Sequence, residues 1–460
     1  MRPLRRALVL GAALGVAYTG SPLTIAFALV IVPVCGLAIR ELGVRERRWV
    51  GAALVAAIGA RVLAIAALLV ATNPMGEQFR TFFPDAQFVV ARSWWIRNLW
   101  LGLPIGPSYT DWVYRPYGES SFTYILAFIQ TVFGLAPYGV NLISVGCFIT
   151  GSLLLFRLAR RSYGPAAAVA GLLLLLAWPT FFAWSVSVLR ESTQFFFVAL
   201  VFVCTVAAVR HRHWTDRVLA IVAAGVALYA LATLREGILI IVVLGLAFGL
   251  TIRLATLRWW IAALALLALV VAGPGLIGHA GIRDRVTSEV QLAASRHLGH
   301  VEMRGGSFRL LDERFYWEGK QAPFTMSFDE GIRFLLRSAA ASVLVPLPWQ
   351  IDSISGLAEL PQQCLWYLTI AGSVVGFGAA LRRDALVSLM LAGYILAGLM
   401  VITPNNGNIG TLVRHRDMVV PALVWLAGAG LCSMMAKAAP SPFENIPSRL
   451  TAPAVRQVGH

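Results

Sequence analysis

The residues that could do chemistry in this chain are carboxylates and guanidiniums placed where polar loops meet long apolar runs. Asp85 lies in FFPDAQF, just before a Trp-rich stretch, and Arg115 follows in YRPYGES with Asp111 and Glu119 beside it. Leu189, Arg190 and Glu191 open one apolar run, and Leu234, Arg235 and Glu236 follow another. A charge at the edge of hydrocarbon is expensive and usually has a partner or a task. A positioned carboxylate can take a proton from an attacking hydroxyl. Arginine can hold a phosphate through two parallel hydrogen bonds, which suits an anionic lipid headgroup. Each group also has a plainer account. Pro-Asp before a helix makes Asp85 a natural N-cap, Glu191 complements the positive end of a helix dipole, and Arg115 would serve as an interfacial anchor. Helix termination explains Gly237 but not the charges beside it.

The elements that must position these groups are membrane spans. Of 460 residues, 58% are hydrophobic and 13% charged, against about 25% charged in a soluble domain. Runs such as 165–186, 259–278 and 385–402 are long enough, at about 1.5 Å per residue, to cross a hydrocarbon core of roughly 30 Å. The reading is an all-α polytopic bundle of about twelve spans, near 7–19, 23–39, 49–71, 138–159, 165–186, 190–209, 218–234, 238–252, 259–278, 362–380, 385–403 and 418–436. The first is a retained helix, because no small-residue cleavage site follows Arg2, Arg5 and Arg6. The chain divides into N-terminal spans (1–71), a first outer loop (72–137), a central bundle (138–278), a second outer loop (279–361), C-terminal spans (362–436) and a cytoplasmic tail (437–460). The loops contain amphipathic juxtamembrane helices near 86–100 and 328–345, and 121–134 is apolar but too short to span.

The net charge of +16 follows from topology. With the N-terminus inside, the basic clusters at Arg45, Arg47 and Arg48, at Arg157, Arg160 and Arg161, at Arg210, Arg212 and Arg217, and at Arg382 and Arg383 all fall on the inner side, as the positive-inside rule requires. The outer segments are then neutral overall, and no nucleic-acid surface is implied. The five cysteines lie in or at the edge of apolar spans without metal-type spacing, and they read as small core residues that imply no disulfide framework. Asp85, Arg115, Glu191 and Arg235 all come to the outer surface, around one lipid-accessible cleft.

In that order the features resemble the GT-C class of polytopic glycosyltransferases, in particular the branch of protein O-mannosyltransferases and lipid A aminoarabinose transferases. Asp85 matches the acidic residue early in that class's first large outer loop. Arg115, Pro116 and the stretch ending Phe133 and Gly134 resemble its Lys-Pro pair and short helix. Arg190 and Glu191 stand where a second acidic motif opens a later helix. Leu234, Arg235 and Gly237 resemble a basic hairpin, and Arg414, Arg416 and Pro421 an "Arg-Tyr…Pro" segment before a closing helix. The sequence departs from the pattern at Ala86, where a second carboxylate is usual, and at Glu191, where Asp is more usual. The resemblance implies transfer of a sugar from a polyprenyl-phosphate donor to an acceptor hydroxyl, with inversion, on the outer face of the cell inner membrane, both termini being cytoplasmic. Asp85 would be general base. Glu191 would orient the acceptor or a divalent cation, whose involvement the residues do not establish. Arg115, Arg235, Arg414 and Arg416 would bind the donor phosphate. The acceptor would be a glycan, lipid or protein, gripped by Tyr316 and Trp317 of a second-loop lid.

Two other readings make different demands. A polysaccharide polymerase or ligase acting on lipid-linked glycans would depend on arginines such as those of RHRD and leave Asp85 dispensable. A lipid-glycan transporter or flippase would show broken helices and midplane charges, of which only Arg61 is evident.

Overall fold

A computed structural model describes residues 22–71, 84–114, 120–135, 138–258, 280–303, 306–319, 322–347 and 360–438, with 260 and 263. Among these residues eight helices are long and apolar enough to cross a membrane, and ten spans result if each of two bent pairs counts once. The expected spans near 7–19 and 259–278 lie outside the described residues, apart from 260 and 263, and the other ten have counterparts. The described helices are α1 (Pro22–Arg40), α2 (Val44–Ala71), α3 (Pro84–Trp100), α4 (Pro107–Tyr114), α5 (Ser121–Phe133), α6 (Asn141–Tyr163), α7 (Pro165–Ala177), α8 (Pro179–Ser185), α9 (Arg190–Arg210), α10 (Trp214–Leu234), α11 (Glu236–Leu257), α12 (Ala280–Val301), α13 (Arg314–Trp317), α14 (Phe328–Leu344), α15 (Leu360–Arg383), α16 (Ala385–Ile402), α17 (Ile409–Arg416) and α18 (Val420–Ala438).

With no hydrophobic force to drive helix against helix in lipid, close backbone approach at small residues does the packing. A Cβ placed on Gly376 of α15 would lie 1.9 Å from the Leu426 carbonyl oxygen of α18, and one on Gly393 of α16 would lie 2.3 Å from the Gly245 carbonyl oxygen of α11. Only hydrogen fits at either place.

The Arg-rich turns gather at one end of the bundle. Arg157 reaches Glu41 at 2.8 Å, Arg160 grips Glu46 with bonds of 2.7 and 2.9 Å, Arg210 meets Asp384 at 2.5 Å, and Arg383 donates to the Tyr163 carbonyl. The opposite ends of the same helices carry Glu191, Arg235 and the α17 segment. Reporter fusions at Arg212 and Gly306 are expected to label opposite sides of the membrane. Finding both on one side would overturn this two-ended arrangement.

The span expected at 165–186 is broken. Pro179 supplies no N–H, and α7 and α8 meet at 63°. The carbonyls freed by such a break need donors inside the membrane, and Arg61 of α2 supplies one. Its NH2 donates to the Leu176 carbonyl at 3.3 Å, its Nε to Ser185 Oγ at 2.6 Å and its NH1 to the Ala57 carbonyl at 3.1 Å, with Phe148 and Phe182 packed on the guanidinium. The midplane charge that a transporter would use is thus committed to splinting a bend. The second break, 64° between α17 and α18, turns the chain at the candidate site.

The second loop folds as a helical layer. Its longest described helix, α12, was not foreseen. α14 opens with a capping box formed by Ser327 and Glu330. Glu330 also receives two 2.8 Å bonds from Arg314, and Asp312 receives Arg333 and Arg337, each at 2.7 Å. The Arg314 bonds hold the Glu330 carboxyl down at about 2. The Glu330 contribution to stability is therefore complete above the ordinary glutamate range and is lost only as pH falls towards 2.

Candidate functional site

The site is assembled at the end of the bundle opposite the Arg-rich turns. α3 and α5 pack as a pair, with Gln130 donating to Ser93 Oγ at 2.7 Å and Arg97 to the Gln130 carbonyl at 3.0 Å. Leu23, Val90, Phe122, Val140, Val188 and Leu234 join this pair to the core, and Ser120, the N-cap of α5, donates to the Leu234 carbonyl at 3.3 Å. These contacts hold the start of α3 against the start of α9 and the α10–α11 turn.

Asp85 stands in the first turn of α3 and Glu191 in the first turn of α9. One guanidinium joins them. Arg414 NH1 donates to Asp85 Oδ2 at 2.8 Å and NH2 to Glu191 Oε1 at 2.6 Å. The two carboxylates differ in setting: the Asp85 side chain is 66% exposed and that of Glu191 3%. Asp85 is open to solvent, whereas Glu191 is a buried counter-charge to Arg414.

More positive charge surrounds the pair. Arg235, between α10 and α11, lies 3.0 Å from His415 Nε2. Burial, and next the field of Arg190, lower its proton affinity to about 10, which leaves it charged at neutral pH. Arg190 donates to the Leu234 carbonyl at 3.4 Å. Three guanidiniums against two carboxylates leave a net positive cluster, suited to an anion.

A cavity of about 480 Å³ opens beside Arg414, lined also by Thr180, Trp184, Gln362, Asn408 and Thr411. This is within the size range of small-molecule sites, and its wall offers hydroxyl and carboxamide groups next to an indole. The α7–α8 bend brings Thr180 and Trp184 to it. Thr180 and Trp178 both donate to the buried Asp417, and Gln362 donates to Thr180 Oγ1 at 3.0 Å. Trp184, Gln194 and Glu191 also line one small pocket, and Trp184 Nε1, Gln194 Nε2 and Glu191 Oε2 have no hydrogen-bond partner among the described residues.

Of the residues expected from sequence, the structure brings Asp85, Glu191, Arg235 and Arg414 together. Arg115 lies outside the described residues, as does Glu119. Arg416 is a correction. It is buried away from the cluster, donating to the Ala341 carbonyl at 2.7 Å and to Gln363 at 3.4 Å, with its guanidinium over Trp366. Residues two apart on a helix point roughly 200° apart, so Arg414 and Arg416 cannot both face one cleft. Tyr316 also departs from its expected part. Its hydroxyl accepts the Leu310 and Leu311 N–H groups at 2.9 and 3.1 Å, while Trp317 is 81% exposed. Sequence reasoning gave no role to His297, Asn406, His415 or Asp417. A polar residue inside a helical loop layer leaves no periodic signal, although the RHRD run did mark the segment. Among the described residues no group of three or more His, Cys, Asp or Glu side chains is placed to hold a metal ion.

The sequence model of the dolichyl-phosphate-mannose-protein mannosyltransferase family matches residues 121–277, about a third of the chain. The match includes Glu191 and Arg235 and excludes Asp85 and Arg414. With the polytopic helical bundle it supports a membrane glycosyltransferase of the GT-C type. No curated protein matches the chain.

Proposed function

We propose that the chain transfers a sugar from a polyprenyl-phosphate donor to an acceptor hydroxyl, with inversion, in the cleft between α3, α9 and α17 on the outer face of the membrane. The observation that carries this reading is Arg414 bridging Asp85 and Glu191 beside Arg235 at the mouth of the polar cavity. Asp85 is the exposed member and acts as general base. When the donor phosphate takes hydrogen bonds from Arg414, the Asp85 carboxylate is released. It then removes the proton of the acceptor hydroxyl, the oxygen attacks the anomeric carbon, and the bond from that carbon to the phosphate oxygen breaks. The phosphate leaves with the electron pair, and Arg414 and Arg235 neutralise the charge that grows on it. Arg115, which follows directly on α4 in the sequence, is proposed as a further phosphate ligand. The sugar occupies the cavity lined by Thr180, Gln362, Asn408 and Thr411, with Trp184 as its apolar wall. Trp317 offers an exposed ring to the acceptor.

The test uses purified full-length protein in lipid nanodiscs with radiolabelled polyprenyl-phosphate mannose, the sugar in the matched family's description, and then the glucose analogue. Membranes of the source cell supply the acceptor. The expected result is label transferred to acceptor with the anomeric configuration inverted. Retention of configuration would sink the single-displacement mechanism. Absence of both transfer and binding with either probe would sink the donor assignment.

A further inference from the structure

Beside the carboxylate–guanidinium cluster lies a second polar assembly that the transfer step does not use. His297 of α12 and His415 of α17 meet at one residue, Asn406, in the turn before α17. The chemistry of the partners settles where the protons are. Arg235 NH2 lies 3.0 Å from His415 Nε2, and since a guanidinium only donates, Nε2 carries a lone pair. Nδ1 then holds the proton and donates to Asn406 Oδ1 at 2.9 Å. The Asn406 amide is oriented by Nδ2, which donates to the Ile402 carbonyl at 2.5 Å.

On the other side, His297 Nδ1 donates to the Asn406 carbonyl at 2.6 Å. Its Nε2 faces the Tyr316 hydroxyl at 3.4 Å, and that hydroxyl accepts two backbone N–H groups, which turns its own proton towards the ring. The hydrogen bonds from Tyr316 and those from Arg235 therefore both run towards Asn406, and both imidazoles are neutral. Burial lowers His297 to about 4, in keeping with this. The backbone docks in the same place. Phe308 N donates to the Gly407 carbonyl at 3.0 Å and Ile409 N to the Gly306 carbonyl at 2.9 Å. A Cβ on Gly407 would lie 2.3 Å from the His297 carbonyl oxygen.

We propose that His297, Asn406 and His415 are positioning residues through which the second-loop layer aims Arg235 at the anionic group bound beside Arg414. This rests on the donor reading above in taking that anion to be a lipid phosphate. The charged and titratable groups whose fields reach His415 are Arg235 from the α10–α11 turn, Arg414 from its own helix, His300 from α12 and Arg190 from α9. A proton on His415 would remove the acceptor that holds Arg235 and add a cation among cations. Arg235 would then turn away.

The experiment uses full-length protein in nanodiscs with ¹⁵N-labelled histidine, His415 being assigned by the signal lost in His415→Gln. In the wild type the His415 signal is expected to show Nδ1 protonated and Nε2 bare. Asn406→Asp forgoes the bond to Ile402 but places a carboxylate beside the ring, which favours imidazolium. His415 should then titrate at higher pH, and binding of a long-chain polyprenyl phosphate should fail on the acid side at correspondingly higher pH. Asn406→Leu, which cannot accept from Nδ1, should weaken that binding about tenfold at neutral pH, as expected for a misaimed charge-assisted hydrogen bond. A wild-type His415 protonated on Nε2 overturns the proposal, and so does an unchanged tautomer and titration in both variants. Phosphate binding unaltered in both variants overturns it as well. A wild type that binds no polyprenyl phosphate, yet shows the expected tautomer and its shift, overturns the donor reading and leaves the histidine relay standing.

Discussion

Asp85→Asn is expected to lower turnover by roughly two orders of magnitude or more, the usual contribution of a positioned general base, with little change in donor binding. Asparagine has the size of aspartate and can accept from Arg414 through its amide oxygen, so the geometry at the start of α3 is kept. What it lacks is the capacity to take a proton. The loss should therefore appear in kcat and leave KM for the donor near its wild-type value, the pattern of an interaction made only in the transition state. The side chain is 66% exposed, so the substitution should leave the thermal unfolding temperature almost unchanged. Single-turnover kinetics with a labelled donor would check this. Wild-type turnover in Asp85→Asn would remove Asp85 from the mechanism, and with intact dependence on Arg414 it would favour the arginine-based polymerase reading.

Arg414→Ala should cost more, in two separable ways. It removes the phosphate ligand, so donor binding and turnover both fall, by at least a hundredfold in kcat/KM if two charge-assisted hydrogen bonds are lost together. It also leaves Glu191, whose side chain is 3% exposed, as a buried carboxylate without its cation, a change that typically costs about 3–5 kcal/mol. A falling unfolding temperature would accompany the lost activity. The double variant Arg414→Leu with Glu191→Gln separates the two effects. With neither charge present it should regain most of the stability and none of the activity. Recovery of activity in that variant would show that Arg414 serves the fold alone.

The membrane class and ten of the spans were legible because an apolar run of fixed length is imposed by the bilayer itself. Glu191 and Arg235 were legible for a related reason: each is a charge at the end of an apolar helix, whereas Asp85 stood out as a carboxylate before a Trp-rich stretch. The pairing of Asp85 with Glu191 through Arg414 was not, because it depends on the folding together of three distant segments. The choice between Arg414 and Arg416 could have been made from helical phase, since positions two apart face different ways. Pro179 likewise marked the break in 165–186, which the apolar run concealed. The second loop was hardest to read. Its mixed aromatics and charges suggested a lid, whereas Arg314 is spent on Glu330, Asp312 on Arg333 and Arg337, and Tyr316 on two backbone N–H groups, and His297 and Asn406 are polar residues that meet only once α12 has docked on the α16–α17 turn.

The separation of Asp85 from Arg414 by 329 positions also bears on how the enzyme is made. Membrane proteins emerge from the ribosome N-terminus first, so α3 and α9 are synthesised long before α17 exists. Until then Asp85 and Glu191 are two acidic groups with no shared cation, and the proposed site lacks the guanidinium that joins them. Under the proposed mechanism, biosynthesis would complete the site only when nearly the whole chain is in place, and a ribosome that stalls before Arg414 would leave an inserted fragment with an incomplete site.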